Sequence, residues 1–182
     1  MKESELNEKL KNVKNYLGSY AIDELKNVEI KLLPSFIVIN FDKRSGKGNH
    51  WIAIAVYSKT IYICDSLGGI MPDKTFPTKL INFLYTVSFH KDLCMTRRLQ
   101  PLTSELCGEY CILFIKQLSK SNSFCSFLKL FSTNFSQNDL IVQFLVWNKL
   151  LINYFFNYYK ERVMFVYFLF KHPKTEKYFK KS

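Results

Sequence analysis

The run His50-Trp51-Ile52-Ala53-Ile54-Ala55-Val56-Tyr57-Ser58-Lys59-Thr60-Ile61-Tyr62-Ile63-Cys64-Asp65 contains two β-rich segments separated by one polar pair. Residues 51–57 are almost continuously apolar, the pattern of a central strand covered on both faces. Residues 60–64 are again rich in β-branched and aromatic side chains, so the two segments predict a hairpin that turns at Ser58-Lys59. With the turn centred there, Tyr57 pairs with Thr60, His50 lies across from Leu67, and Asp65 lies across from Ile52. The two polar residues therefore arrive at the same end of adjacent strands. Ser-Lys is not a favoured two-residue turn, so the register is free to slip by a residue or two. The neighbourhood of His50 and Asp65 survives such a slip.

Upstream of the hairpin, residues 42–49 form a polar, glycine-bearing loop. It lacks the Gly-Lys-Ser/Thr ending of a phosphate cradle, and no helical pattern follows it. Phe36-Ile37-Val38-Ile39-Asn40, after Pro34, predicts another strand. Residues 20–31 are mixed and carry one short element. Leu6, Leu10, Val13 and Leu17 recur at helical spacing between charged residues, which predicts an amphipathic N-terminal helix ending at Gly18, within residues 1–20.

Downstream, residues 66–72 form a turn or loop, residues 79–85 a helix, and residues 94–99 a third strand that delivers the chain to Gln100. Cys107-Gly108 then opens an apolar-periodic helix, residues 107–118. A cysteine at a helix start feels the positive end of the dipole, which favours thiolate over thiol. Gly108 leaves room beside the sulfur for substrate backbone, and the Gln100 side chain is placed to donate to a developing oxyanion. Taken alone, a buried cysteine at a helix start usually serves packing. Beyond it, residues 122–131 alternate small polar and aromatic groups, and Asn138-Asp139 is read as the cap of a helix over residues 140–151. Residues 154–170 are strongly aromatic, and residues 171–182 form a basic tail.

The 182 residues suffice for one domain with a real core. A hydrophobic content of 48% excludes a disordered chain, and six glycines and five prolines exclude fibrous and low-complexity classes. The five cysteines show no paired metal-ligand spacing, so no zinc site, disulfide framework or other metal centre is expected. The charged start Met1-Lys2-Glu3-Ser4-Glu5 has no apolar signal core, which places the protein in a reducing intracellular space. Charged and amide residues interrupt the apolar stretch at 140–170 before it reaches membrane-spanning length, so no membrane partner is expected. A net charge of +11 invites a polyanion such as DNA. A Lys-, Asn- and Phe-rich composition of the kind an AT-rich genome produces accounts for the same excess.

Thiol-dependent peptide hydrolysis needs a nucleophile, an imidazole to hold and return its proton, a group to orient that imidazole, and an oxyanion donor. Cys107, His50, Asp65 and Gln100 fill these roles, in the chain order His, Asp, Gln, Cys. That order differs from the papain-like arrangement, in which cysteine comes first.

His50-Trp51, Asp65 at the end of the next strand, and Gln100 seven residues before Cys107-Gly108 together resemble the adenovirus-type maturation proteases. More distantly they resemble the SUMO-specific proteases. Tyr16-Leu17-Gly18-Ser19-Tyr20 and the glycine-bearing loop before His50 extend the resemblance, which covers roughly residues 10–120. It implies an α+β, single-domain cysteine protease: a central mixed sheet flanked by helices, with the nucleophile at the N-terminus of a buried helix. The domain would span residues 1–182, with residues 36–120 as the catalytic core, 121–170 as a helical and aromatic region, and the basic tail last.

Carried onto these positions, the resemblance makes Cys107 the nucleophile and His50 the general base and acid. Asp65 becomes the orienting carboxylate, and Gln100 the oxyanion donor together with the Cys107 backbone N–H. Trp51 would pack beside the imidazole. Adenoviral enzymes generally carry Glu at the third position and SUMO proteases Asp, so Asp65 departs towards the cellular branch. The resemblance further implies viral structural precursors as substrates, cleaved at Gly-containing sites, and location in the virion and host nucleus. It also implies activation by DNA and by a short viral peptide that adds a strand and forms a disulfide, without any small-molecule cofactor. Cys94 stands roughly where the disulfide partner would lie, and an ordinary buried cysteine is the other reading of it; Cys64, Cys111 and Cys125 are read as core. Two rival functions remain: a deconjugating protease cleaving SUMO- or ubiquitin-like modifiers after Gly-Gly, and an inactive DNA- or capsid-binding relative.

Overall fold

Five strands, β1 (Tyr16–Ala21), β2 (Ser35–Asn40), β3 (Trp51–Val56), β4 (Thr60–Cys64) and β5 (Asp92–Met95), build one mixed sheet in that spatial order. The two inner ladders, β2–β3 and β3–β4, are antiparallel, and the two outer ones, β1–β2 and β4–β5, are parallel. Around it lie α1 (Glu3–Leu10), α2 (Thr78–Val87), α3 (Cys107–Ser121), α4 (Phe124–Leu128) and α5 (Phe135–Trp147), with a short 3₁₀ turn at Leu25–Asn27. The structure is a computed structural model describing residues 1–68 and 76–147, and Met1–Trp147 forms one compact unit. The class is α+β, as expected, with helices on both sides of the sheet. The expected aromatic region at 154–170, the basic tail and the extension of the domain to Ser182 lie outside the described residues.

The hairpin has the expected register: Ala53 pairs with Cys64, Val56 with Ile61, and the Tyr57 N–H donates to the Thr60 carbonyl at 2.9 Å. One face of the sheet presents Ile37 and Ile39, Ile52, Ile54 and Val56, and Ile61 and Ile63, over which Leu80, Phe83 and Leu84 of α2 close a core. The opposite face carries the small side chains Ala53 and Ala55 on β3, against which α3 packs. Small residues there let a helix approach the strand backbone closely, and every residue of α3 from Cys107 to Ile115 is buried. α1 and α5 cover the rest of α3. This wrapping is why α3 tolerates apolar residues around its whole circumference.

Four expectations of local structure are corrected. The N-terminal helix stops at Leu10, and the last residues of the expected helix, 16–18, open β1 instead. Beside β2 an unpaired sheet edge would otherwise be exposed, and pairing with it outweighs the helical spacing of Val13 and Leu17. Gly18, at φ +122°, therefore serves a register shift in the β1–β2 ladder rather than a helix cap. α1 and β1 belong to the same compact unit as residues 36–120, and that unit continues through α5 to Trp147.

The strand expected at residues 94–99 is β5, which begins at Asp92 and ends at Met95; Thr96, the next residue, turns its side chain to the backbone of Asp65. Asn138 does not cap α5; it sits fully buried one turn inside it. The capping side chain is Asn134, whose Oδ1 accepts from the Gln137 N–H at 3.1 Å.

Candidate active site

The His50 side chain is positioned by the connection between β2 and β3. Asn40 Oδ1 accepts from the N–H groups of Asp42 and Asn49, and the Phe41 N–H donates to the His50 carbonyl at 3.0 Å, closing the loop's neck. His50 is 8% exposed, and its Nε2 lies 2.8 Å from Asp65 Oδ1. If that nitrogen carries the proton donated to the carboxylate, Nδ1 remains to face the thiol.

Asp65 is held in turn. Its N–H donates to Thr96 Oγ1 at 3.0 Å, the Thr96 hydroxyl donates back to the Asp65 carbonyl at 2.7 Å, and the Leu67 N–H donates to Asp65 Oδ1 at 3.0 Å. The following turn needs glycine. Gly68 has φ +89°, and a Cβ there would stand 2.7 Å from the Arg98 nitrogen.

Cys107 is the first residue of α3 and is 9% exposed. At that position its N–H has no intrahelical acceptor and faces outward with the positive helix end. It lines a cleft of about 1060 Å³ together with His50, Trp51, Asp65 and Gln100. Burial works against protonating the His50 ring, but hydrogen bonds to Asp65 and Cys107, reinforced by their negative charge, outweigh it and raise the pKa to about 9. The direction of this shift favours a protonated imidazole at neutral pH.

Gln100 is 1% exposed; its Nε2 donates one N–H to the Ser104 carbonyl at 3.1 Å, leaving the second N–H for the cleft. Its Oε1 is buried with no partner among the described residues. The four residues expected to act together are therefore gathered at one cleft.

Other expectations fare differently. The room left by Gly108 is not open to substrate: a Cβ there would meet Met1 Sδ at 3.0 Å, so Met1 fills it. Trp51 is half-buried on the cleft wall, and the ring set edge-on against the imidazole is Phe41, at 5.3 Å between centroids and 81°. Cys94 lies on β5, paired with Tyr62 of β4 and outside the cleft lining. Cys64 and Cys111 are buried, and burial pushes both thiols well up, whereas Cys125 is exposed on α4 rather than in the core.

Thr96, Phe41, Ser66, Tyr110 and Asn138 support the site and carry no sequence motif. Thr96, for instance, reaches Asp65 across 31 residues of chain. Among the described residues no group of three or more His, Cys, Asp or Glu side chains could hold a metal ion, and no helix is long and apolar enough to cross a membrane.

The fold and site together define an α+β protein carrying a cysteine, histidine and carboxylate in one cleft. No protein-family model matches the chain, and no curated protein matches it. Among solved structures, the crystal structure of the ASFV pS273R protease is similar, at 22% sequence identity and a TM-score of 0.42. The likeness covers 61% of this chain and 43% of that one, so this chain spans less than half of that protein's length.

Proposed function

We propose that the chain is a thiol endopeptidase. The observation that carries this reading is the 2.8 Å contact of His50 Nε2 with Asp65 Oδ1, on the same cleft as a cysteine at a helix N-terminus. Cys107 Sγ attacks the scissile carbonyl, and its negative charge passes to the carbonyl oxygen, which accepts from the Gln100 side chain and the Cys107 N–H. The C–N bond breaks as the His50 imidazolium gives its proton to the leaving amine, and a thioester forms on Cys107. Neutral His50 then takes a proton from water, whose oxygen displaces the thiolate and releases the acid. Asp65 orients the ring throughout.

Viral structural precursors cut at Gly-containing sites are the proposed substrates. The motif order His-Trp, Asp, Gln, Cys-Gly and its likeness to the adenovirus-type maturation proteases support this. A second reading, removal of SUMO- or ubiquitin-like modifiers after Gly-Gly, is favoured by one residue: Asp65 as the orienting carboxylate. A panel of Gly-containing peptides and folded modifier fusions, run with wild type and Cys107→Ala, separates them. Cleavage of short peptides, lost in Cys107→Ala, supports the endopeptidase. Cleavage that requires the folded modifier supports the second reading, and activity surviving Cys107→Ala overturns both.

Two regulators belong to the same proposal. DNA would act through the net charge of +11, raising the rate at low salt with loss of the effect as salt rises. An activating peptide would pair along β5 near Cys94; a rate unchanged by either addition removes that regulator.

A further inference from the structure

Gln100 reaches the cleft from a segment without regular structure, so its backbone must be fixed by something other than a ladder or a helix. The peptide unit joining Leu99 to Gln100 is gripped on both edges. Its N–H donates to the Ser66 carbonyl at 3.0 Å, one residue beyond Asp65. Its carbonyl, that of Leu99, accepts from Asn138 Nδ2 of α5 at 2.8 Å and lies 3.2 Å from the Tyr110 hydroxyl of α3. Leu99, Gln100, Ser66, Tyr110 and Asn138 are each no more than 1% exposed, so water does not compete for these bonds.

The other polar atoms of Asn138, and the Tyr110 hydroxyl, make further bonds. Asn138 Nδ2 gives its second N–H to the Ser132 carbonyl at 3.0 Å, and Asn138 Oδ1 accepts from the Ser132 N–H at 2.9 Å, which locks the amide's orientation. The Tyr110 hydroxyl also lies 3.0 Å from Asp139 Oδ1. One phenolic proton cannot serve two acceptors in full, so Asn138 is the constant donor to Leu99 and Tyr110 the shared one.

We propose that Asn138 and Tyr110 are positioning residues for the oxyanion donor: by clamping the Leu99–Gln100 peptide against Ser66, they aim the Gln100 amide at the reacting carbonyl. The inference rests on the endopeptidase reading of the cleft. Neither residue touches substrate. Their work is to keep Gln100 Nε2 within hydrogen-bond reach of an oxygen that becomes charged only in the transition state, where a displacement of about 1 Å can cost on the order of a hundredfold in rate.

The test is a double-mutant cycle on peptide cleavage with Gln100→Ala, Tyr110→Phe and the double variant, all shown folded by thermal unfolding. Tyr110→Phe keeps the ring and its packing and is expected to lower kcat about tenfold with KM within about twofold. In the Gln100→Ala background the same change is expected to cost less than about twofold, because the group it aims is gone. Asn138→Asp, which keeps the shape but removes the donor, is expected to behave like Tyr110→Phe with a larger loss. Should Asn138→Asp fail to fold, Tyr110→Phe alone decides.

Equal losses from Tyr110→Phe in both backgrounds, or none in either, would overturn the inference. If Gln100→Ala leaves kcat unchanged while Cys107→Ala abolishes cleavage, the oxyanion assignment itself fails, and the clamp fails with it. If Cys107→Ala is active, the endopeptidase reading fails instead.

Discussion

His50 concentrates the electrostatics of the site, since two opposing influences act on one ring. Desolvation disfavours its charged form, and the bonds to Asp65 and Cys107 win, raising the pKa from 6.5 to about 9. A group whose pKa is raised on folding stabilises the fold by binding its proton. That contribution is full below about pH 6.5 and is lost as the pH rises through about 9. The thermal midpoint of wild type relative to His50→Gln is therefore expected to decline across that window. Peptidase activity should lose its alkaline limb near pH 9. In Asp65→Asn, which removes the negative charge, the limb should move down by at least about one unit. The kcat/KM profile measures this, and an unmoved limb would show that Asp65 does not act on the ring. Thr96 makes a separate claim. Thr96→Val keeps the shape but leaves the Asp65 N–H without its acceptor in a buried place, for an expected loss of about 1–3 kcal/mol in denaturant unfolding. A stability equal to wild type would mean that the Thr96 hydroxyl is dispensable.

At the scale of elements, the β3–β4 hairpin was legible from sequence because side-chain pattern and turn position both act locally. The register followed from those two alone, and it brought His50 to Asp65. The N-terminal strand was not legible. Leu6, Leu10, Val13 and Leu17 continue a helical spacing, and only the open edge of β2, distant in sequence, converts residues 16–21 into β1. In sequence Asn138 reads as a cap, because a polar residue next to Asp139 looks like a helix start. Its actual partner, the Leu99 carbonyl, is 39 residues away.

The loop between β2 and β3 was legible as a loop, but not its tether. Arg44 pairs with Glu3 of α1 and with Glu24, tying the cleft wall to two other elements. The Arg44 side chain is 48% exposed, and such pairs contribute little to global stability, typically under about 1 kcal/mol each. Arg44→Ala is therefore expected to move the thermal midpoint by no more than a few degrees while raising KM several-fold through a loosened wall. Steady-state kinetics on a Gly-containing peptide would check it, with an unchanged KM counting against the tether.

Across the described residues, the arrangement is a helix buried from Cys107 to Ile115 that presents Cys107 at the cleft, with the sheet delivering the His50 imidazole and the Asp65 carboxylate to the same cleft. The four residues gathered at the cleft could be found in the sequence because the proposed chemistry requires those side-chain types. Their supports, Thr96, Tyr110 and Asn138, could not, because hydroxyl and amide groups that bond distant backbone leave no spacing rule. The structure also supplies an internal standard: Cys107 is 9% exposed, whereas Cys125 is an exposed free thiol. An ordinary thiol reacts in proportion to its exposure and its small thiolate fraction, so at pH 6 Cys125 should lead unless Cys107 is held as a thiolate by His50. The most direct measurement is the rate of iodoacetamide alkylation at each cysteine at pH 6, read by peptide mass spectrometry in wild type and His50→Ala. The expected result is that Cys107 reacts at least about tenfold faster than Cys125 in wild type and loses that lead in His50→Ala. Faster labelling of Cys125, with Cys107 modified only on unfolding, would contradict the account.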